Sequence, residues 1–347
     1  MKNSNSSSSN NTIKFFVAIF LVIVILVFSA LAYYNYEEKV IKNQKYGELK
    51  AIAQLKKDQL IKWRTERLSE AAFFPAQLLL IENTKKLIEN KDYKPAKDFL
   101  YSILNNLKIN HSYQNIFISS FDNKILYSLD PGFNTLDTSE LHEMKKVFES
   151  KEITIKDFYY CNTHKEIHLD FISPIINENQ KTIAVLILRI NPNDYLFPLI
   201  EKWPLPSETG ESFLFRIDRD KVVYLNPLEG NRNQTLSLKN TLDEKDLISV
   251  KGALGLKGIV EGIDYSGHSV LADLNSIDGT PWFIVSKIDQ NEVYSELRYR
   301  ATAIAFVVIL SLLVFTSGIL LLYKYRQSNL YKELFLKERI FRRKGRV

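Results

Sequence analysis

Apolar and polar positions alternate along this chain with three different periods, and each period predicts a different element. Phe15–Tyr36 is a run of 22 residues without a charged side chain, and Ala301–Tyr323 is a second run of 23. Each exceeds the ~20 residues that cross a bilayer as a helix. Between them, a spacing of three and four comes first: Leu49, Ile52, Ala53, Leu60, Trp63 and Arg67 predict one long helix from Glu37 to about Asn90 that continues the first span outward. Pro95 suits the first turn of a second helix reaching Asn110, with Phe99, Ile103 and Leu107 on one face.

From there the period drops to two. Asn115–Ser119 and Lys124–Leu129 read as short strands joined by an Asp122-Asn123 turn. Asp137-Thr138-Ser139 can cap a helix to about Ser150. Strands are then expected at about Glu152–Tyr160, Ile167–Ile176 and Thr182–Ile190, and a helix from Asn193 to about Trp203. The order repeats: a hairpin of Ser212–Ile217 and Lys221–Leu225, a helix near Glu244–Leu254, and strands at Lys257–Ile263, His268–Leu274 and Trp282–Ile288. Each half reads β-β-α-β-β-β, so the expected fold class is α+β, with one unit present in tandem. The boundaries that follow are 37–203 for the helical stalk and membrane-distal unit, and 204–289 for the membrane-proximal unit. A further helix, 290–323, runs unbroken into the second span.

Charge then orients the chain. The last 24 residues carry nine Lys/Arg against Glu333 and Glu338, while the whole chain is only +6. Basic flanks stay cytoplasmic, so 324–347 and the short 1–14 segment are expected inside, and 37–300 outside. The pI near 9.0 is therefore a topology signal, not a sign of nucleic-acid binding, and the tail suits anionic headgroups. Ala30-Leu31-Ala32 has the form of a signal-peptide cleavage site. Tyr33, Tyr34 and Tyr36 beyond it suit a membrane interface instead, and the first span is read as an uncleaved anchor. Cys161 is the single cysteine, which excludes an intramolecular disulfide. No Cys-x-x-Cys, His-Glu-x-x-His or Gly-x-Ser-x-Gly pattern or phosphate loop occurs, so neither a catalytic group nor a cofactor is expected.

Several local segments are more specific. In order they are Leu196-Phe197-Pro198-Leu199-Ile200, Trp203-Pro204-Leu205-Pro206-Ser207-Glu208-Thr209, Phe213-Leu214-Phe215-Arg216 and Val222-Val223-Tyr224-Leu225-Asn226. Glu261-Gly262-Ile263-Asp264-Tyr265-Ser266-Gly267 and Thr280-Pro281-Trp282-Phe283-Ile284-Val285-Ser286-Lys287 follow. With the two spans, this series resembles the double-Cache (PDC-like) extracytoplasmic sensor domains of bacterial signalling receptors, in particular those of a group of membrane histidine kinases. The resemblance is strongest over about 150–290. It implies tandem PAS-like Cache units and a ligand pocket between sheet and overlying loops, usually in the distal unit. The chain departs from a kinase: the 24-residue tail has no His and no room for an ATP lid. Leu330, Leu334 and Phe341 near heptad spacing suit the start of a signalling helix, so the chain reads as an input half or as a protein that signals through a partner.

Candidate ligand residues concentrate in the distal unit: Asp157, Tyr159, Tyr160, His168 and Asp170. On a strand, His168 and Asp170 share one face, with Ile167, Leu169 and Phe171 on the other. A carboxylate with tyrosine hydroxyls and a histidine can hold a cationic or hydroxylated metabolite; the alternative is a merely solvated face. Arg67, one turn from Trp63, could grip a carboxylate or be a surface neighbour of a packing tryptophan. His164 and His168 on one strand would stand ~13 Å apart, too far to share a metal ion, and no metal is expected. The expected function is the sensor input module of a two-component receptor, binding a small molecule or a ligand-loaded binding protein outside. It is expected to act as a homodimer in the lipid bilayer and to relay to a cytoplasmic output domain or partner. A chemoreceptor input half, an envelope scaffold and, last, an anchored enzyme are the alternatives.

Overall fold

A computed structural model describes residues 5–344 of the chain apart from 134, 137 and 163. The element order bears out the tandem α+β reading. A long helix, α1 (Asn5–Phe73), precedes α2 (Leu78–Glu89) and α3 (Lys94–His111). The distal unit follows as β1 (Asn115–Ser119), β2 (Ile125–Ser128), α4 (Thr138–Ser150), β3 (Thr154–Cys161), β4 (Glu166–Ile176) and β5 (Thr182–Ile190), closed by α5 (Leu196–Glu201). The proximal unit is β6 (Glu211–Asp218), β7 (Lys221–Tyr224), β8 (Lys239–Thr241), α6 (Ile248–Ala253), β9 (Gly258–Ile263), β10 (Ser269–Ser276) and β11 (Trp282–Asp289), and α7 (Gln290–Lys344) begins at the next residue.

Both sheets are antiparallel, ordered β2-β1-β5-β4-β3 and β8-β7-β6-β11-β10-β9. With β8 set aside the orders are the same, which is the structural form of the repeat. First and last strands sit side by side in the middle, and the helix-bearing connection carries the chain from one sheet edge to the other.

The structure differs locally from the sequence reading at four places. The stalk is not one helix to Asn90: Pro75, in a 3-10 turn at Phe74–Ala76, has no N–H to give and no room in a helix interior, so the chain restarts at Leu78. The helix after β5 is short, ending at Glu201 before Trp203-Pro204, because the residue before a proline is driven from helical geometry. The helix near Glu244–Leu254 narrows to α6. β8 pairs with β7 through three residues and is too short to show a period. Of the expected cap, Asp137 lies outside the described residues, and α4 starts at Thr138.

The two units share a core. Leu60, Trp63 and Ala71 of α1 join Leu169, Phe171, Leu186 and Leu188 of the distal sheet and Leu214, Leu225, Trp282 and Ile284 of the proximal unit in one buried cluster. Opposite strand faces build separate clusters: Phe117, Phe133, Met144, Val147, Ile172, Val185 and Ile187 in the distal unit, and Phe213, Phe215, Tyr224, Ile248 and Val285 in the proximal one. Burial at ~25 cal/mol per Å² on both faces accounts for the nearly continuous apolar runs of β5 and β11. Compactness divides the chain differently, into 46–290 and a second unit made of 1–45 with 291–347. In that second unit the two apolar stretches lie exposed along their length and are long enough to cross a membrane, and Arg300 Nη1 donates to Glu37 Oε2 at 3.0 Å.

Lys56 on α1 is buried, and its ammonium donates to the carbonyls of Leu199 and Lys202 at the end of α5, at 2.6 and 2.5 Å. These are the acceptors a short helix leaves unpaired. Burial, aided by Lys202, pushes the Lys56 pKa down to about 8. A lysine depressed in the folded state is protonated longer in the unfolded chain, so stability rises with pH between about 8 and its ordinary 10.5. Urea unfolding across that range is expected to show the wild type gaining stability relative to Lys56→Met. Parallel pH profiles for the two would mean that the ammonium is not held in this environment.

Candidate functional site

The face of the distal sheet turned towards α4 carries the charge. Along β5, Val185, Ile187 and Arg189 alternate onto it; along β4, His168, Asp170 and Ile172 do the same. Register sets Arg189 opposite Asp170, and also opposite Asn115 on the other neighbouring strand. Cross-strand partners share a face, with Cβ atoms ~5 Å apart, so the sheet itself brings the guanidinium and the carboxylate together. Arg189 Nε donates to Asp170 Oδ1 and Nη2 to Oδ2, both at 3.0 Å, a bidentate pair. Nη2 also donates to Tyr159 Oη at 2.9 Å and to Glu140 Oε1 in the first turn of α4. The Tyr159 hydroxyl donates to Asp170 Oδ2 at 2.7 Å and stands 2.8 Å from Glu140 Oε1. The guanidinium carbon is 5.1 and 5.0 Å from the ring centres of Phe117 and Phe133, within cation–π range.

The charged groups are out of solvent: Arg189 is 2 % exposed, Asp170 0 % and Glu140 3 %, with His168 at 1 %, while Tyr159 is half-buried. Burial alone would raise the Asp170 carboxyl, but Arg189 and the hydrogen bonds from it and from Tyr159 hold it below the usual carboxylate range. The same pairing lifts Arg189 despite its own burial. Burial, with Asp170 beside it, raises the Tyr159 phenol far above its ordinary value. His168 is pushed down to about 4, by burial first and then by Arg189, and is neutral at physiological pH. Among the described residues three polar atoms here have no partner: Arg189 Nη1 and both ring nitrogens of His168.

Of the residues singled out from the sequence, the structure brings Asp170, His168 and Tyr159 together. Asp157 faces elsewhere, accepting from Arg216 Nη1 at 2.6 Å and Trp282 Nε1 at 2.8 Å, where the two sheets meet. Tyr160 is half-exposed. Trp63 packs edge-on against Phe171 at 6.3 Å, on the opposite face of the sheet. Arg67 is buried, not a surface neighbour: it donates to the His111 carbonyl at 2.8 Å and pairs with Glu70 at 3.1 Å. A solvated face for His168 and Asp170 is likewise overturned, because α4 covers it. Arg189 and Glu140 are the partners that sequence reasoning missed. The signal for Arg189 was present as one charge near the end of the apolar run Thr182–Ile190.

The separation expected for the histidine pair is also corrected. His164 does not lie on β4 but in the turn before it, where Lys165 adopts φ 56° and its N–H donates to the Cys161 carbonyl at 2.7 Å. The chain reverses there, and the two imidazole centres come within 5.6 Å.

The proximal unit has a buried cation at the matching strand. Lys287 on β11 lies 2.8 Å from Asp264, 3.2 Å from Glu211 and 3.9 Å from Asp289. Burial would lower this ammonium, but Glu211 and Asp264 raise it. Tyr265-Ser266-Gly267 forms the expected hairpin turn, with Asp264 Oδ1 accepting from the Ser266 and His268 N–H groups, each at 2.9 Å.

Removing one member of a buried ion pair leaves its partner charged and unpaired, at a cost of about 3–5 kcal/mol. Arg189→Met is expected to lose about that much in chemical denaturation. Arg189→Met with Asp170→Asn should lose less than the two single losses added together. Additive losses would show the pair to be uncoupled.

No protein-family model matches the sequence, and no curated protein is similar to it in sequence. The fold does have likenesses among solved structures. The ligand-binding domain of the Campylobacter jejuni chemoreceptor Tlp3, crystallised with L-norvaline, superposes with a TM-score of 0.50 at 13 % identity, covering 74 % of this chain and 95 % of that one. The corresponding domain of the Pseudomonas aeruginosa chemoreceptor PctB, in complex with L-Arg, gives 0.48 at 13 % identity over 73 % and 98 %. The fold between the two apolar helices is that of the double-Cache sensor domains, as the local sequence had implied.

Proposed function

We propose that this chain is the sensor input module of a two-pass membrane receptor, and that its distal unit binds a small metabolite carrying both an ammonium and a carboxylate, such as an amino acid. The observation that carries the reading is the buried Arg189–Asp170–Glu140–Tyr159 cluster. A guanidinium and two carboxylates that satisfy one another can each be re-partnered by a zwitterion: the ligand carboxylate takes Arg189, and its ammonium takes Asp170 and Glu140. Arg189 Nη1, unpartnered and buried, is the donor available for a carboxylate without breaking an existing bond. The Phe117 and Phe133 rings supply an apolar wall for a side chain, as small-molecule sites usually have. The covering helix α4 must shift to admit the ligand, which links occupancy to conformation. The ligand can bias that equilibrium only by its differential affinity for the two states.

The basic tail and the two apolar helices support a location of this domain outside the cytoplasmic membrane, and in this reading a homodimer and a cytoplasmic output domain or partner are the means of relay. A histidine-kinase output is supported by the local sequence resemblance over 150–290. A chemoreceptor output is supported by the fold shared with Tlp3, whose ligand-binding domain was crystallised with L-norvaline, and this also puts amino acids first among compounds to test. A ligand-loaded binding protein acting in place of a free metabolite is the other partner compatible with the same face.

The test is thermal unfolding of the full chain in lipid nanodiscs against amino acids, amines and carboxylates supplied singly. A zwitterion at 100 times its dissociation constant is expected to add about 2.7 kcal/mol. Tyr159→Phe, which keeps the ring and removes one hydroxyl, is expected to weaken that ligand by about tenfold at most, the worth of one hydrogen bond. Stabilisation by amines and carboxylates alone, or by none of the compounds with a folded domain, would sink the zwitterion reading.

A further inference from the structure

The turn between β3 and β4 assembles a second cluster that the small-molecule reading does not use. Cys161 ends β3, His164 sits in the turn and His168 lies two residues before Asp170 on β4. Their ligand atoms, one from each residue, all lie within 4.8 Å of one another. Cys161 Sγ and His164 Nδ1 are 3.2 Å apart. Around a tetrahedral zinc ion, bond lengths of ~2.3 Å to sulfur and ~2.0–2.1 Å to nitrogen put neighbouring donors about 3.3–3.6 Å apart. One pair therefore has that spacing already, and side-chain rotation of about 1 Å closes the rest.

A hydrogen-bonded core would also bring these residues together, and the Cys161–His164 contact fits that. His168 does not. It is 1 % exposed, and neither ring nitrogen has a partner among the described residues, although a buried imidazole normally finds at least one. Cys161 is buried to the same degree, and an unpaired thiol in a domain expected outside the cytoplasm is chemically at risk unless something holds it. Neutral imidazoles and a thiolate are the borderline-soft set that zinc takes. The turn itself is built for the purpose: left-handed backbone at Lys165 reverses the chain, and the His164 ring stacks on Phe133 at 5.4 Å.

We infer that Cys161, His164 and His168 form a zinc site of three protein ligands at the β3–β4 turn. The fourth position falls on the side of half-buried His164, open to water or to a donor from a bound ligand, the pattern of zinc sites that exchange a ligand. The cysteine is deprotonated on binding, and its proton passes to solvent. The inference stands whether or not the Arg189 cluster binds a zwitterion. In the other group of this kind, Asp264, His268 and Asp289, both carboxylates already face the Lys287 ammonium, and the group serves as the control.

The experiment is titration of the tag-free full chain in nanodiscs, first with cobalt(II) as a spectroscopic stand-in and then with zinc against a chromogenic chelator. One metal per chain is expected, with a thiolate-to-cobalt charge-transfer band and the visible bands of a tetrahedral ion. Loss of a mere supporting partner of a metal ligand costs about 10–100-fold in affinity, so Cys161→Ser and His164→Ala should each cost at least about 100-fold. His164→Ala alters a half-buried turn residue and tests the site even if His168→Ala fails to fold. His268→Ala should leave binding unchanged. Absence of the charge-transfer band, its survival in Cys161→Ser, or loss of binding on His268→Ala would each overturn the assignment. A missing metal site with intact zwitterion binding would leave the proposed function standing.

Discussion

The apolar seam of α1 is the constraint on which the arrangement of residues 46–290 depends. Leu60, Trp63 and Ala71 pack into a cluster that includes strands of both sheets, so neither unit has a self-contained inner face. Polar ties run along the same helix. Lys56 closes the end of α5, and Arg64 Nη2 donates to the Gly279 carbonyl of the proximal unit at 2.8 Å. Protein interiors packed to crystal density are poorly compressible. A displacement of the distal sheet must therefore be met by α1, and through it by the proximal strands that share its core. Arg216 and Trp282 reach Asp157 across the same junction. That makes Asp157 a fastening between units, a role different from ligand contact but still one on the path between them.

On the opposite face of the distal sheet the physics is electrostatic. A buried ion pair is a weak contributor to stability compared with apolar residues of the same size, because desolvation offsets attraction. Arg189 needs Asp170, Glu140 and Tyr159 together to be tolerable where it is. The proximal unit solves the corresponding problem with Lys287 among Glu211, Asp264 and Asp289. The two solutions differ in what remains. Lys287 is a compact ammonium met by three carboxylates. Arg189 is a planar fork with one nitrogen left over, beside two phenyl rings and next to an imidazole with two. Unpaired buried donors and acceptors carry a cost of about 1–3 kcal/mol each. Among the described residues the proximal cluster keeps acceptor oxygens without a hydrogen bond, on Asp264 and Asp289, whereas the distal cluster keeps a donor, Arg189 Nη1, beside the His168 nitrogens. A spare guanidinium donor suited to a ligand carboxylate is the physical ground for proposing recognition in the distal copy.

Much of this was legible before any coordinates. Apolar runs, strand periods and the order of elements were enough for the two long apolar helices and the repeat, because period and length are local properties. His168 and Asp170 were paired correctly from strand alternation alone. Failure came where the answer lay in the third dimension. Alternation says which residues share a face, but not that α4 lies over that face, so burial of Asp170 could not be read. Arg189 is one charge in an apolar strand, and only the β4–β5 register makes it a partner. Arg67 looked like a surface residue because His111, whose carbonyl it meets, lies on α3, and sequence does not show that α3 packs there. The His164–His168 spacing was measured along a strand, whereas the left-handed turn at Lys165 folds that distance back on itself.

His168 belongs to both clusters, and this joins the two proposals physically. Its ring lies 5.8 Å from that of Tyr159 and 5.6 Å from that of His164, and it shares a strand face with Asp170. A cation held by His168 adds positive charge beside a site whose acids are already engaged by Arg189. It therefore strengthens the hold on an anionic group and weakens the hold on an ammonium. By thermodynamic linkage the effect is reciprocal: whatever occupies the Arg189 site changes metal affinity by the same factor. Low effective dielectric and the rigidity of adjacent strands favour such coupling over so short a path. In this reading the coupling residue is His168, whose buried ring nitrogens have no partner among the described residues.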